Sequence, residues 1–79
     1  MSLKLSGLNQ TIGKTIAGYV LRTGSSISPR EQVFIVFTDN TYYELYGESI
    51  NSASAVDRGG MEGAESYALK FPGDVKRVE

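Results

Sequence analysis

The chain has no cysteine and no histidine among its 79 residues. The first absence rules out disulfides and thiolate metal sites. The second removes the commonest zinc ligand and the commonest general base near neutral pH. Every Ser–His or Cys–His nucleophile pair therefore lacks a member. A Ser–Lys site or a carboxylate pair is the catalytic arrangement left open, and Glu44 and Glu48 are the carboxylates nearest the aromatic run. So small a domain has little room for the cleft an enzyme needs, which points away from catalysis. No cofactor is expected.

Long apolar runs are missing too. Nothing approaches the roughly 18–20 residues that span a bilayer, and the N-terminal residues lack the continuous apolar core of a secretory signal. The expectation is a cytoplasmic protein without a membrane partner. Charge of one sign is equally scarce, with eight Lys and Arg against nine Asp and Glu. The cations are scattered, and only Lys76 and Arg77 are adjacent. A non-specific nucleic-acid binder carries a basic patch, so nucleic acid is a distant alternative, supported only by tyrosines able to stack on bases.

The length fits a single domain over residues 1–79. A chain this short buries only about 60–65% of its unfolded surface. Its expected stability is about 4–12 kcal/mol, at ~0.05–0.15 kcal/mol per residue. Domains of this size commonly need a staple. With disulfides and thiolate metal sites gone, self-association is the staple left.

What the chain does have is concentrated in Gln32–Gly47, QVFIVFTDNTYYELYG. Two β-rich runs flank Asp39-Asn40, whose residues tolerate positive φ and suit a two-residue hairpin turn. Such a turn pairs Phe37 with Tyr42, Ile35 with Glu44 and Phe34 with Leu45. Because side chains alternate, one face then holds Val33, Ile35, Phe37, Tyr42, Glu44 and Tyr46, and the other Phe34, Val36, Tyr43 and Leu45. Both are apolar and both need cover.

Around this hairpin, Thr15–Leu21 reads as another strand, with Gly18 marking a bulge or a close backbone approach. Residues 23–30, rich in Gly, Ser and Pro, read as a loop. Leu5, Leu8 and Ile12 allow a short helical turn. Residues 50–56 fit either a short strand or a turn. Residues 57–60, Asp-Arg-Gly-Gly, read as a loop, with Asp57 helping to cap a following helix over about 60–71. Met61, Ala64, Ala68 and Phe71 follow helical spacing in that helix, and Pro72-Gly73 stops it. Residues 74–79 fit a short edge strand or a frayed tail. The predicted fold is α+β: a small antiparallel sheet of three to five strands, hairpin 31–47 at its centre, with one C-terminal helix on one face. That helix is expected over Phe34, Val36, Tyr43 and Leu45. The opposite face is expected to meet the N-terminal segment, a second subunit, or both.

Three candidate sites follow. Val33, Ile35, Phe37, Tyr42, Glu44 and Tyr46 form a candidate interface, since tyrosines and apolar strands are enriched where proteins meet. Arg58, Gly59 and Gly60 form a candidate anion site at a helix N-terminus. Asp57, Glu62 and Glu65 could ligate a hard cation, although a solvated helix face explains them more simply. The leading expectation is a non-catalytic interaction module, either a homo-oligomer with a dimer favoured or one bound to a protein partner. The alternative is a domain that binds a small anionic ligand through residues 57–60.

Overall fold

A computed structural model describes residues 5–24, 31–46, 51–53 and 55–79. Of the loop expected over 23–30, Thr23 belongs to a strand and residues 25–30 lie outside the described residues, as do the strand end at Gly47, Glu48 and the start of the ambiguous segment at Ile50. The elements in chain order are α1 (Leu5–Asn9), β1 (Ile16–Thr23), β2 (Gln32–Phe37), β3 (Thr41–Tyr46), β4 (Asn51–Ser52), β5 (Asp57–Arg58), α2 (Gly60–Ala68) and β6 (Asp74–Val78). They build the expected α+β architecture of an antiparallel sheet with a helix packed against it. The strands run β4-β3-β2-β1-β6, and β5 adds a short pairing to β3 off this path. The chain meanders through the first strands, crosses one face as α2, and returns beside β1 as β6.

The β2–β3 hairpin departs from the predicted register. Val36 pairs with Tyr42, Ile35 with Tyr43, Phe34 with Glu44 and Val33 with Leu45. The turn contains three residues, Thr38 to Asn40, closed by the Asn40 N–H donating to the Phe37 carbonyl at 3.2 Å. Asn40 takes the left-handed conformation at φ 67° and Asp39 does not. The arrangement is a three-residue hairpin loop ending in a left-handed residue. Asp39 is occupied as an acceptor instead, receiving Lys14 Nζ and Thr41 Oγ1. A slip of one residue moves every side chain of one strand to the opposite face. Tyr42, Glu44 and Tyr46 therefore join Phe34 and Val36 under α2, while Tyr43 and Leu45 turn to the other side with Val33, Ile35 and Phe37.

The main core lies beneath α2. Val20, Phe34, Val36, Tyr42, Ala64 and Ala68 are buried together, with Met61, Tyr67 and Val75 packed around them. Phe34 meets the edges of Tyr42 and Tyr67 at 5.7 and 6.0 Å between centroids. The alanines let the helix sit close, and Gly18 extends that closeness to the sheet. A β-carbon on Gly18 would overlap the Val78 carbonyl oxygen and lie 2.9 Å from Met61 Cε. A register shift between Ile16 and Gly18 marks a bulge there, so both readings of this glycine apply.

α2 ends at Ala68, short of the predicted 71. The Leu69 N–H still bonds to the Glu65 carbonyl, but those of Lys70 and Phe71 bond back three residues to Tyr67 and Ala68. That is a 3₁₀-type tightening, and Pro72 disfavours helical backbone at the residue before it. Leu69, expected beside the apolar stripe, is exposed. No side chain caps α2. Its N-cap is Gly59, and Asp57 lies in β5 opposite Tyr42. Among the described residues no helix is long and apolar enough to cross a membrane.

Candidate functional site

The register splits the candidate interface between the two sides of the sheet. Val33, Ile35 and Phe37 face away from α2, whereas Tyr42, Glu44 and Tyr46 lie on the α2 side. Each side has its own character.

On the α2 side a polar chain crosses three strands. Arg22 is opposite Gln32 in the β1–β2 ladder. Both positions alternate with core residues, Arg22 two after Val20 and Gln32 two before Phe34, so both side chains point inward. Arg22 is 0% and Gln32 1% exposed. Arg22 Nε donates to Gln32 Oε1 at 2.5 Å, and Gln32 Nε2 donates to Glu44 Oε2 at 2.5 Å. Arg22 Nη1 also donates to the Pro72 carbonyl, and its guanidinium sits 5.3 Å from the Phe71 ring centroid. The buried cation thus ties the sheet to the turn that leaves α2. Stacking and multiple fixed donors suit a guanidinium to such a place.

Glu44 is the half-buried end of this chain. Its burial pushes its carboxyl pKa up, Gln32's hydrogen bond pulls it down, Asp57's charge pushes it up and Arg22's lowers it. Burial is also the first cause of the upward shifts at Tyr42 and Tyr67, with the charges of Asp57 and Glu44 adding to both. Tyr42, Tyr67 and Glu44 thus share one electrostatic neighbourhood under the helix, where the tyrosines stay neutral and able to donate.

The side away from α2 is covered at one end. Leu8, Thr11 and Lys14, from α1 and the turn after it, line a cleft of about 190 Å³ against Ile16, Ile35, Phe37, Tyr43 and Leu45. Side-chain hydrogen bonds anchor the N-terminal segment there. Lys14 Nζ bonds to Asp39 in the hairpin turn, and the Val56 N–H donates to Gln10 Oε1 at 2.8 Å. The Tyr43 hydroxyl donates to the Ala53 carbonyl at 2.7 Å. This covers the Ile35–Phe37 region. The β1–β6 region of the same face is left open, where Tyr19 and Val78 are 37% and 45% exposed, and Ile16, at the rim of the α1 cleft, is 50% exposed. Tyr19 pairs with both Ile35 and Val78 in the ladders, so these side chains are neighbours. Ile12, in the turn just before β1, is 77% exposed.

The candidate anion loop is engaged in holding the fold. Arg58 is exposed and pairs with Thr41 in the sheet. The Gly59 N–H donates to the Asn40 carbonyl at 3.0 Å. Gly60 has φ 58°, and a β-carbon there would overlap Asn40 Oδ1. The start of α2 therefore rests on the hairpin turn, a close approach that its glycine permits. Of the candidate cation ligands, Glu65 pairs with Arg77 at 2.9 Å, and Asp57 lies in β5. Among the described residues no cluster of three or more acids is placed to hold a metal ion.

Sequence reasoning missed Arg22, Gln32 and Tyr19. The signal for the first two was present in the alternation, since each stands two residues from a core side chain at facing ends of neighbouring strands. No protein-family model matches this chain, and no curated protein or solved structure matches it either.

Proposed function

We propose that this chain is a small non-catalytic interaction module that self-associates through the side of its sheet facing away from α2. The observation that carries the reading is the exposure of Ile16, Tyr19 and Val78 on that side, with Tyr19 and Val78 paired across the β1–β6 ladder, next to the part of the face already covered by α1. Apolar surface gathered in one place favours association, at about 25 cal/mol for each Å² removed from water. Tyrosine suits such a surface, because its ring buries area while its hydroxyl stays wet. The candidate interface thus moves from the Val33–Tyr46 set toward Ile16, Tyr19 and Val78.

The test is mass in solution by light scattering across a concentration series, for the wild type and for Ile16→Glu/Tyr19→Glu. Both positions are exposed, so the variant keeps its fold, checked by circular dichroism. The expected result is a concentration-dependent oligomer whose mass the double variant lowers. An oligomer untouched by the double variant would overturn this choice of face.

A further inference from the structure

We infer that the outer edge of β6 pairs antiparallel with β6 of a second copy of this chain, about a two-fold axis at Val75, joining two sheets into one. The inference rests on the self-association proposed above and adds to it a second contact, at the sheet edge, distinct from the face that holds Ile16 and Tyr19. β6 ends the path of the sheet, and no described residue pairs with its outer edge. An open edge presents unpaired N–H and C=O groups that another strand can satisfy. A trough of about 550 Å³ lies along the β1–β6 ladder, lined by Leu21, Thr23, Asp74, Val75 and Lys76. Asp74 and Lys76 share the side away from α2, and neither makes an ion pair with any described residue.

The charges select the register. An isologous pairing whose axis is normal to the sheet keeps the faces matched, so it centres on a residue. Centred on Asp74, Lys76 or Arg77, it sets a charge against its own counterpart, which repels. Centred on Val78, it sets Arg77 against Glu79, but Arg77 is already bonded to Glu65 on α2. Centred on Val75, it sets Asp74 against Lys76 twice over, and the two valines meet at the axis. Charges on an edge ordinarily keep other strands away. The Asp-Val-Lys spacing here rejects offset registers and accepts the strand's own inverted copy. The ladder is short, so the dimer forms and dissociates with concentration.

The experiment is sedimentation equilibrium of the full chain at low salt, with charge-reversal variants. Lys76→Asp makes both cross-strand pairs repulsive and raises the dimer dissociation constant about tenfold or more. Asp74→Lys/Lys76→Asp restores both pairs and returns the constant to near the wild-type value. Under oxidation, Val75→Cys forms a covalent dimer and Val78→Cys does not. A wild-type dimer indifferent to Lys76→Asp, whose Val75→Cys form cross-links no faster than Val78→Cys, overturns this inference while leaving the interaction-module reading in place. A wild type that is monomeric at every concentration overturns both.

Discussion

Replacing Gln32 with methionine removes the middle of the buried polar chain while keeping side-chain length. The Gln32 amide has one partner on each side, Arg22 Nε at its oxygen and Glu44 Oε2 at its nitrogen. Without it, the Arg22 Nε–H loses the Gln32 oxygen at a position 0% exposed. Losing a hydrogen bond to a charged group costs about 1.5–3 kcal/mol. Glu44 is half-exposed, so water replaces its lost donor at about 1 kcal/mol or less. The sum is about 2–4 kcal/mol, a large share of the roughly 4–12 kcal/mol expected for the whole domain. Urea unfolding at neutral pH measures it. With an m-value near 1 kcal/mol/M, typical of the smallest domains, the midpoint falls by about 2–4 M. Residues joined in one network are also non-additive. The cycle of Gln32→Met, Glu44→Met and the double variant is therefore expected to give a coupling of about 0.5–1.5 kcal/mol. A midpoint within about 0.5 M of wild type at unchanged m, or strict additivity in the cycle, would refute the chain as described.

Phe34→Ala empties a fully buried position between two tyrosine edges and is expected to cost about 3–5 kcal/mol; a loss below about 1.5 kcal/mol in the same unfolding experiment would contradict the packing. Glu44 has its folded-state pKa raised, mainly by burial, so its contribution is fully present below the unfolded carboxyl pKa and is lost as pH rises through the folded one. Glu44→Gln is thus expected to gain on wild type in melting temperature as pH climbs from about 4 to 7, and a constant difference across that range would remove the argument. Asp39 runs the other way. Its pKa is lowered, first by the Lys14 hydrogen bond, so Lys14→Met should cost stability at neutral pH and cost progressively less as the solution is acidified through the folded pKa of Asp39. Gly60→Ala is expected to cost about 1–3 kcal/mol, from positive φ and the overlap with Asn40. Asn40→Gly keeps the left-handed turn residue and removes the overlapping atom, so the double variant should lose less than the two single changes added together.

The hairpin was legible because β2 and β3 are rich in β-branched and aromatic residues, and Thr41–Tyr46 stands where the pattern puts it. Its register was not. Asp and Asn both tolerate positive φ, and only tertiary contacts decide which one uses it. Lys14, distant in sequence, holds the Asp39 carboxylate and leaves the left-handed position to Asn40. One residue of turn length then decided the contents of both faces, and with them the candidate interface. The helix was legible in its spacing and its Pro72-Gly73 stop. Its N-terminus was misread because backbone contact with the hairpin turn replaced a side-chain cap. Arg22 and Gln32 were hidden by expectation, since a cation and an amide near strand ends ordinarily face water. The arrival of β6, bringing Pro72 and Phe71 over Arg22, helps to make their burial tolerable.

That arrival has a kinetic side. The β2–β3 hairpin closes over a three-residue turn, whereas β6 must reach β1 from the far end of the sequence, and distant contacts are slow to form. The expected order has the hairpin early and β6 last, readable as φ-values near zero at Val75 and Val78. Until β6 docks, the β1 edge is bare, with Tyr19 and Leu21 beside unpaired backbone. A second chain caught at that moment can lend its own β6 to the vacant edge and receive one in return. The strand that completes the monomer is therefore also the one through which two half-folded chains would exchange segments.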